Sequence, residues 1–119
     1  MAAKNYTELV AWQRAIELIV ATYAHTSSWP REEQFGLTAQ MRRAAVSIAT
    51  NLAEGQGRGS DREFRRFLKI SYGSLRELET CVVVSERLTY GIADERREVM
   101  RLAGEVGRLV NGLLKVLNT

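Results

Sequence analysis

At 119 residues the chain has the length of one domain, because single domains run to ~100–200 residues and a chain of this size buries roughly two thirds of its unfolded surface. Its 45% hydrophobic and 26% charged residues, with a single proline, exclude disorder over most of the length, while one cysteine and one histidine exclude an internal disulfide and a Cys/His zinc site. Seventeen basic against fourteen acidic residues leave a net charge of +3, and 14 of the cations are arginines, a balance that points to polyanions or interfaces.

Three stretches punctuate the chain: Ser27-Ser28-Trp29-Pro30, Gly55-Gln56-Gly57-Arg58-Gly59 and Tyr90-Gly91-Ile92. They predict four helices over about 8–27, 37–56, 61–89 and 94–117 within one domain spanning 1–119. In the first helix Thr7 is the expected cap, and Leu9, Trp12, Ile16, Ile19 and Tyr23 recur as one apolar stripe. Pro30 ends it and suits a first helical turn, where Glu32 and Glu33 complement the positive helix end.

After Gly36 the second helix places Leu37, Met41, Ala44, Ala45, Ile48 and Leu52 on one face, and Gly55 or Gly57 is the expected left-handed cap. The third opens with Ser60-Asp61-Arg62-Glu63, a capping box, and gathers Phe64, Phe67, Leu68, Ser71, Leu75, Leu78 and Val82 until Gly91 ends it. The fourth carries Val99, Leu102, Val106, Leu109, Leu113 and Val116, flanked by Met100, Ala103, Val110, Leu114 and Leu117.

Helices this long joined by short loops predict an all-α, up-down-up-down antiparallel four-helix bundle. One feature exceeds a lone bundle: Cys81-Val82-Val83-Val84 is apolar around the whole helix, and the fourth helix is apolar over more than half its circumference. A subunit contact involving Val83, Val84, Met100 and Val110 is therefore expected, and with it a homo-oligomer; the alternative is a thicker core within one protomer.

The third helix also carries cations. Arg62, Arg65, Arg66, Lys69 and Arg76 share the side opposite the apolar face, with Arg58 just before it, so residues 58–76 hold six cations against Asp61 and Glu63. Cations at this interval can track RNA or DNA phosphates; a solvated face, or pairing with acids of another subunit, is the alternative reading. The glycine-rich loop ahead of it lacks the GxxxxGK[ST] pattern and is explained by helix ends, although its amides beside Arg58 and Arg62 suit a single phosphate.

On the second helix Gln40, Arg43, Ser47, Asn51 and Glu54 form a polar band, expected as a hydrogen-bonded network with Arg43 satisfied by Glu54 or Glu77. No nucleophile–base–orienter set is visible around it, so no catalysis is expected. Cys81 reads as an inert core thiol, and Trp12 and Trp29 as core and loop anchors. Apolar runs of only a few residues predict no membrane span, and the opening MAAKNYTELV has no apolar leader core, so a cytoplasmic protein without metal or cofactor is expected.

Taken together, Leu9-Val10-Ala11-Trp12-Gln13-Arg14-Ala15, Trp29-Pro30, Glu33 and Gly36-Leu37-Thr38 lead into a denser series. That series is Gln40-Met41-Arg42-Arg43-Ala44-Ala45-Val46-Ser47-Ile48, Asn51-Leu52-Ala53-Glu54-Gly55, Arg58, Phe67-Leu68 and Gly73-Ser74-Leu75-Arg76-Glu77-Leu78-Glu79. It resembles the four-helix-bundle proteins encoded in intervening sequences of bacterial 23S ribosomal RNA genes, a family that is similar to the accessory variability determinants of diversity-generating retroelements. The resemblance implies a homopentameric, barrel-like ring and, for the retroelement relatives, binding of nucleic acid and of a reverse transcriptase. The sequence reading is thus a non-enzymatic, ring-forming bundle that binds nucleic acid or a nucleoprotein through the third helix, with a purely protein-binding scaffold as the alternative.

Overall fold

The computed structural model describes residues 5–117; the opening four residues and the last two of the expected 1–119 domain lie outside the described residues. Four helices make up almost all of it: α1 Val10–Thr26, α2 Leu37–Gly57, α3 Asp61–Arg87 and α4 Ala93–Val116, with single 3-10 turns at Tyr6–Glu8 and Arg31–Glu33. Among the described residues there is no strand, and no helix is long and apolar enough to cross a membrane. Helices adjacent in sequence pack side by side and α1 closes against α4, while the diagonal pairs stay apart. The 44 Å long axis follows from α3, whose 27 residues span ~40 Å at 1.5 Å per residue.

Contacts along the α2–α3 seam run in opposite order on the two helices: Gln40 meets Glu77, Ser47 meets Ser74, Ile48 meets Ser71, and Gly55 meets Phe67. The same holds for α1 and α4, where Arg14 reaches Glu105 and His25 faces Glu95.

The start of α1 differs from the expectation. The Asn5 carboxamide oxygen accepts from the Thr7 amide at 2.8 Å and caps the first 3-10 turn, so α1 begins at Val10 and Thr7 is not its cap. The buried line of α1 is also rotated: Ala11, Ala15, Leu18, Thr22 and His25 face the core, whereas Trp12, Ile16 and Ile19 sit half-buried on the shoulders and Tyr23 is exposed. Small Ala11 and Ala15 let the neighbouring helices approach closely, which pushes the bulkier side chains outward.

In α2 the expected face is buried, with Ala49 added and Leu37 packed at its edge. Glu33 supplies the cap, one carboxylate oxygen accepting from the Leu37 amide at 3.0 Å and the other from the Tyr90 hydroxyl at 3.0 Å. Gly55 and Gly57 both remain helical; the left-handed glycine is Gly59, at φ +84°. Gly55 serves a different need, since a β-carbon there would lie 2.5 Å from Phe67 Cβ.

α3 follows the sequence most closely. The Glu63 amide donates to Ser60 Oγ at 3.2 Å, although the Glu63 carboxylate turns to Arg66 at 3.4 Å and leaves the box half made. All seven expected apolar-face residues, Phe64 to Val82, are buried. The helix ends at Arg87, ahead of a left-handed Thr89 at φ 60°, two residues before Gly91 at φ 78°. In α4 the two apolar rows merge: Val99, Leu102, Ala103, Val106 and Val110 are buried, and Val116 is exposed. Val110, at 1% exposure inside the protomer, is thereby removed from the expected subunit contact, because α4 turns its second row inward to cover both α1 and α3. Val83, Val84 and Met100 remain 47%, 39% and 37% exposed.

Candidate nucleic-acid interface

The first turns of α3 bury Phe64, Phe67 and Leu68, and helical geometry then turns Arg62, Arg65, Arg66 and Lys69 away from the core. These four cations and Glu63 line an open depression of about 570 Å³. Glu63 is its one carboxylate and pairs with Arg66 at 3.4 Å. Among the described residues, Arg62 and Lys69 have no carboxylate partner, and Nη1 of Arg65 is shielded from solvent with nothing to donate to. The depression opens beside the N-terminus of a 27-residue helix, whose unpaired amides add positive potential.

Arg58 and Arg76 do not join this group in the same way. Arg58 pairs with Glu54 at 3.3 Å and lies over the Phe67 ring at 4.9 Å, with Arg66 on that ring at 4.6 Å, so it flanks the depression already neutralised. Arg76 lies farther along α3, facing Gly104 and Gly107 of α4. It pairs with Glu79 at 2.6 Å, is held by the Tyr72 hydroxyl and lies over the Tyr72 ring at 4.6 Å. The hydrogen bond from Arg76 to Glu79 pushes its pKa up from an already high value.

The polar band of α2 is three separate pieces rather than one network. Ser47 and Ser74 share a 2.8 Å hydroxyl hydrogen bond, and the Asn51 amide donates to the Ser47 carbonyl at 2.8 Å and to its hydroxyl at 3.0 Å. Gln40 donates to Glu77 at 3.4 Å, and Glu54 is engaged by Arg58. Arg43, expected to be satisfied by Glu54 or Glu77, is exposed and has no carboxylate partner among the described residues, where Glu54 pairs with Arg58 and Glu77 accepts from Gln40. A hydroxyl and a carboxamide are the only groups on Ser47 Oγ, and neither takes a proton as a base would. Cys81 is buried, and burial pushes its thiol pKa up. Among the described residues no three His, Cys, Asp or Glu side chains gather as a metal cage.

The sequence model of the 23S rRNA-intervening sequence proteins matches residues 7–112, which includes the α2–α3 seam and the whole basic depression. The chain belongs to that family. The match begins at the 3-10 turn before α1 and runs to within a few residues of the end of α4, so all four helices are family elements. No curated protein matches the chain.

One exposed feature escaped the sequence reading. Phe35, 88% exposed, stands on the connection into α2 beside Tyr23, Arg42 and Arg43. Helical periodicity carries no information in a loop; the available signal was an aromatic residue beside the paired arginines of the following helix.

Proposed function

We propose that the protein is a non-enzymatic, cytoplasmic, antiparallel up-down-up-down bundle that assembles into a ring of identical subunits, a pentamer on the family resemblance, and binds RNA or DNA through Arg62, Arg65, Arg66 and Lys69. The observation that carries the binding is the composition of the depression: four cations against one carboxylate, with only Arg66 paired among the described residues, at the positive end of a long helix. The opposite order of contacts on adjacent helices supports the topology, and exposed Val83, Val84 and Met100 support the assembly. In a ring each subunit repeats the basic surface, so weak contacts with one long polyanion add up.

Charge reversal at Arg62, Arg65 and Arg66 is expected to abolish retention on structured RNA and to make the dependence of log K on log salt shallower by roughly one for each lost phosphate contact, with the oligomer unchanged by light scattering. Binding that survives the reversal, or that ignores salt, rules the reading out. A pull-down recovering one protein and no nuclease-sensitive material points instead to the protein-scaffold role.

A further inference from the structure

A second surface, which includes Arg43 and Ser47 of the polar band, lies between the end of α1 and the first half of α2. It is an open groove of about 720 Å³ floored by Ala39 and Val46, and no carboxylate lines it. The nearest acid on its chain segment, Glu33, is turned inward, capping α2 and accepting from Tyr90.

The groove combines two kinds of group. Phe35 is 88% exposed, far beyond what a core or loop anchor needs, and Tyr23 is half-exposed beside it. Arg42 lies over the Tyr23 ring at 4.4 Å, and its Nε donates to Thr26 Oγ1 at 2.9 Å, so its guanidinium is held in place without a carboxylate. Arg43 is exposed and unpaired among the described residues. An apolar helix docked here would desolvate two guanidinium groups that have no acid to meet, at a cost its apolar contacts must offset. An acidic peptide would meet the arginines and leave the aromatic faces unused. A duplex would present phosphates and keep its base faces inside the stack, out of reach of Phe35.

We propose that this groove binds a single-stranded segment of nucleic acid, with a base stacked on Phe35 and the adjoining phosphates held by Arg42 and Arg43. A base has a flat π-face for the aromatic ring and a phosphate for each cation, so one ligand satisfies both kinds of group. The site shares its ligand class with the α3 depression but rests on other residues.

The test is fluorescence anisotropy with a labelled 12-residue oligouridine and, separately, a labelled RNA hairpin, on the full chain. Phe35→Ala is expected to weaken oligouridine binding roughly 5- to 100-fold and to leave hairpin binding unchanged, and Arg43→Glu to weaken oligouridine binding with a shallower salt slope. With 4-thiouridine in the oligomer, photocrosslinks are expected on the peptide containing Phe35. The Arg62/Arg65/Arg66 reversal is expected to remove hairpin binding, so failure of the α3 site and failure of this one are read separately. Unchanged oligouridine affinity in Phe35→Ala overturns the proposal. A drop in oligomer mass in Phe35→Ala overturns it too, because the occupant is then a second copy of the chain. Equal loss of binding to a labelled polyglutamate peptide assigns the groove to an acidic protein segment instead.

Discussion

Along the α2–α3 seam every close approach is used: Gly55 admits Phe67, Ser47 meets Ser74 at 2.8 Å, and the Ser71 hydroxyl donates to the Ile48 carbonyl at 2.8 Å. Farther along the same helix α3 turns Val83 and Val84 outward, and Met100 of α4 is likewise uncovered. One region is closed by small and hydroxyl-bearing side chains that let two backbones come together; the other retains apolar side chains that the protomer covers only in part. The difference separates residues that hold the protomer from residues free to hold an assembly, and it holds within a single helix.

That separation is broken most sharply by truncating one residue from each region. Leu68 is fully buried, so Leu68→Ala is expected to cost ~2–5 kcal/mol, the transfer of its methyl groups plus the cavity left behind. Val84→Ala is expected to cost only ~0.5–1 kcal/mol in a dissociated protomer, because the side chain is 39% exposed and has much less burial to lose. Urea denaturation at high and low protein concentration reads both: a Val84→Ala cost that grows with concentration marks Val84 as an assembly contact, and equal costs for the two variants collapse the distinction. Next in size is Gly55→Ala. Its new β-carbon meets Phe67 Cβ at 2.5 Å, next to the backbone, where nothing rotates aside. The expected loss is ~1–3 kcal/mol despite the better helix propensity of alanine, and an unchanged or raised melting temperature means the seam separates freely.

How far the sequence reached depends on how narrow each apolar face is. α3 carries a sharply two-sided pattern, so the Ser60 cap, the seven buried residues and the Arg62–Lys69 cluster were all legible from spacing. α1 was misread because its face is broad, and breadth leaves the rotation open: packing chose Ala11 and Ala15 for the centre and left Trp12 and Ile16 on the shoulder. α4 posed the same difficulty, and Val110 went inward while Met100 stayed outward, since ten residues at 100° each leave them ~80° apart. At the candidate site, spacing placed the cations on one side of α3 but gave no sign of which were spent. The i,i+4 pair Glu54–Arg58 and the i,i+3 pair Arg76–Glu79 were visible in the sequence, yet whether such pairs form depends on rotamers fixed by neighbours such as Phe67 and Tyr72.

A pH-dependent effect is expected at the other end of the bundle, where polar groups are buried without the seam's compensation. His25 is fully buried against Trp29, their rings edge to face at 5.4 Å, and Gly91 approaches closely only because it lacks a β-carbon, which would lie 2.6 Å from His25 Cε1. Neither ring nitrogen has a hydrogen-bond partner, nor do Thr22 Oγ1, Trp29 Nε1 and Glu95 Oε1 around it. Burial pushes the imidazole pKa below its usual value; Glu95, at 4.0 Å, opposes that shift and Arg96 adds to it. The unfolded chain therefore binds this proton more readily than the folded one. Stability is expected to fall as pH drops below the unfolded value of about 6.5 and to level off beneath the folded value, losing ~1.4 kcal/mol for each unit of depression. Carboxylates such as Glu98, lowered by its hydrogen bond from Arg101, act at lower pH and are common to both chains in a comparison of the parent with His25→Phe. The stability difference between the two, followed from pH 7.5 to 5.5 by urea denaturation, is expected to shift in favour of the variant as the solution becomes more acid. A difference that stays constant across that window means that His25 charges as easily in the folded chain as in the unfolded one, and that this end of the bundle is as well satisfied as the seam.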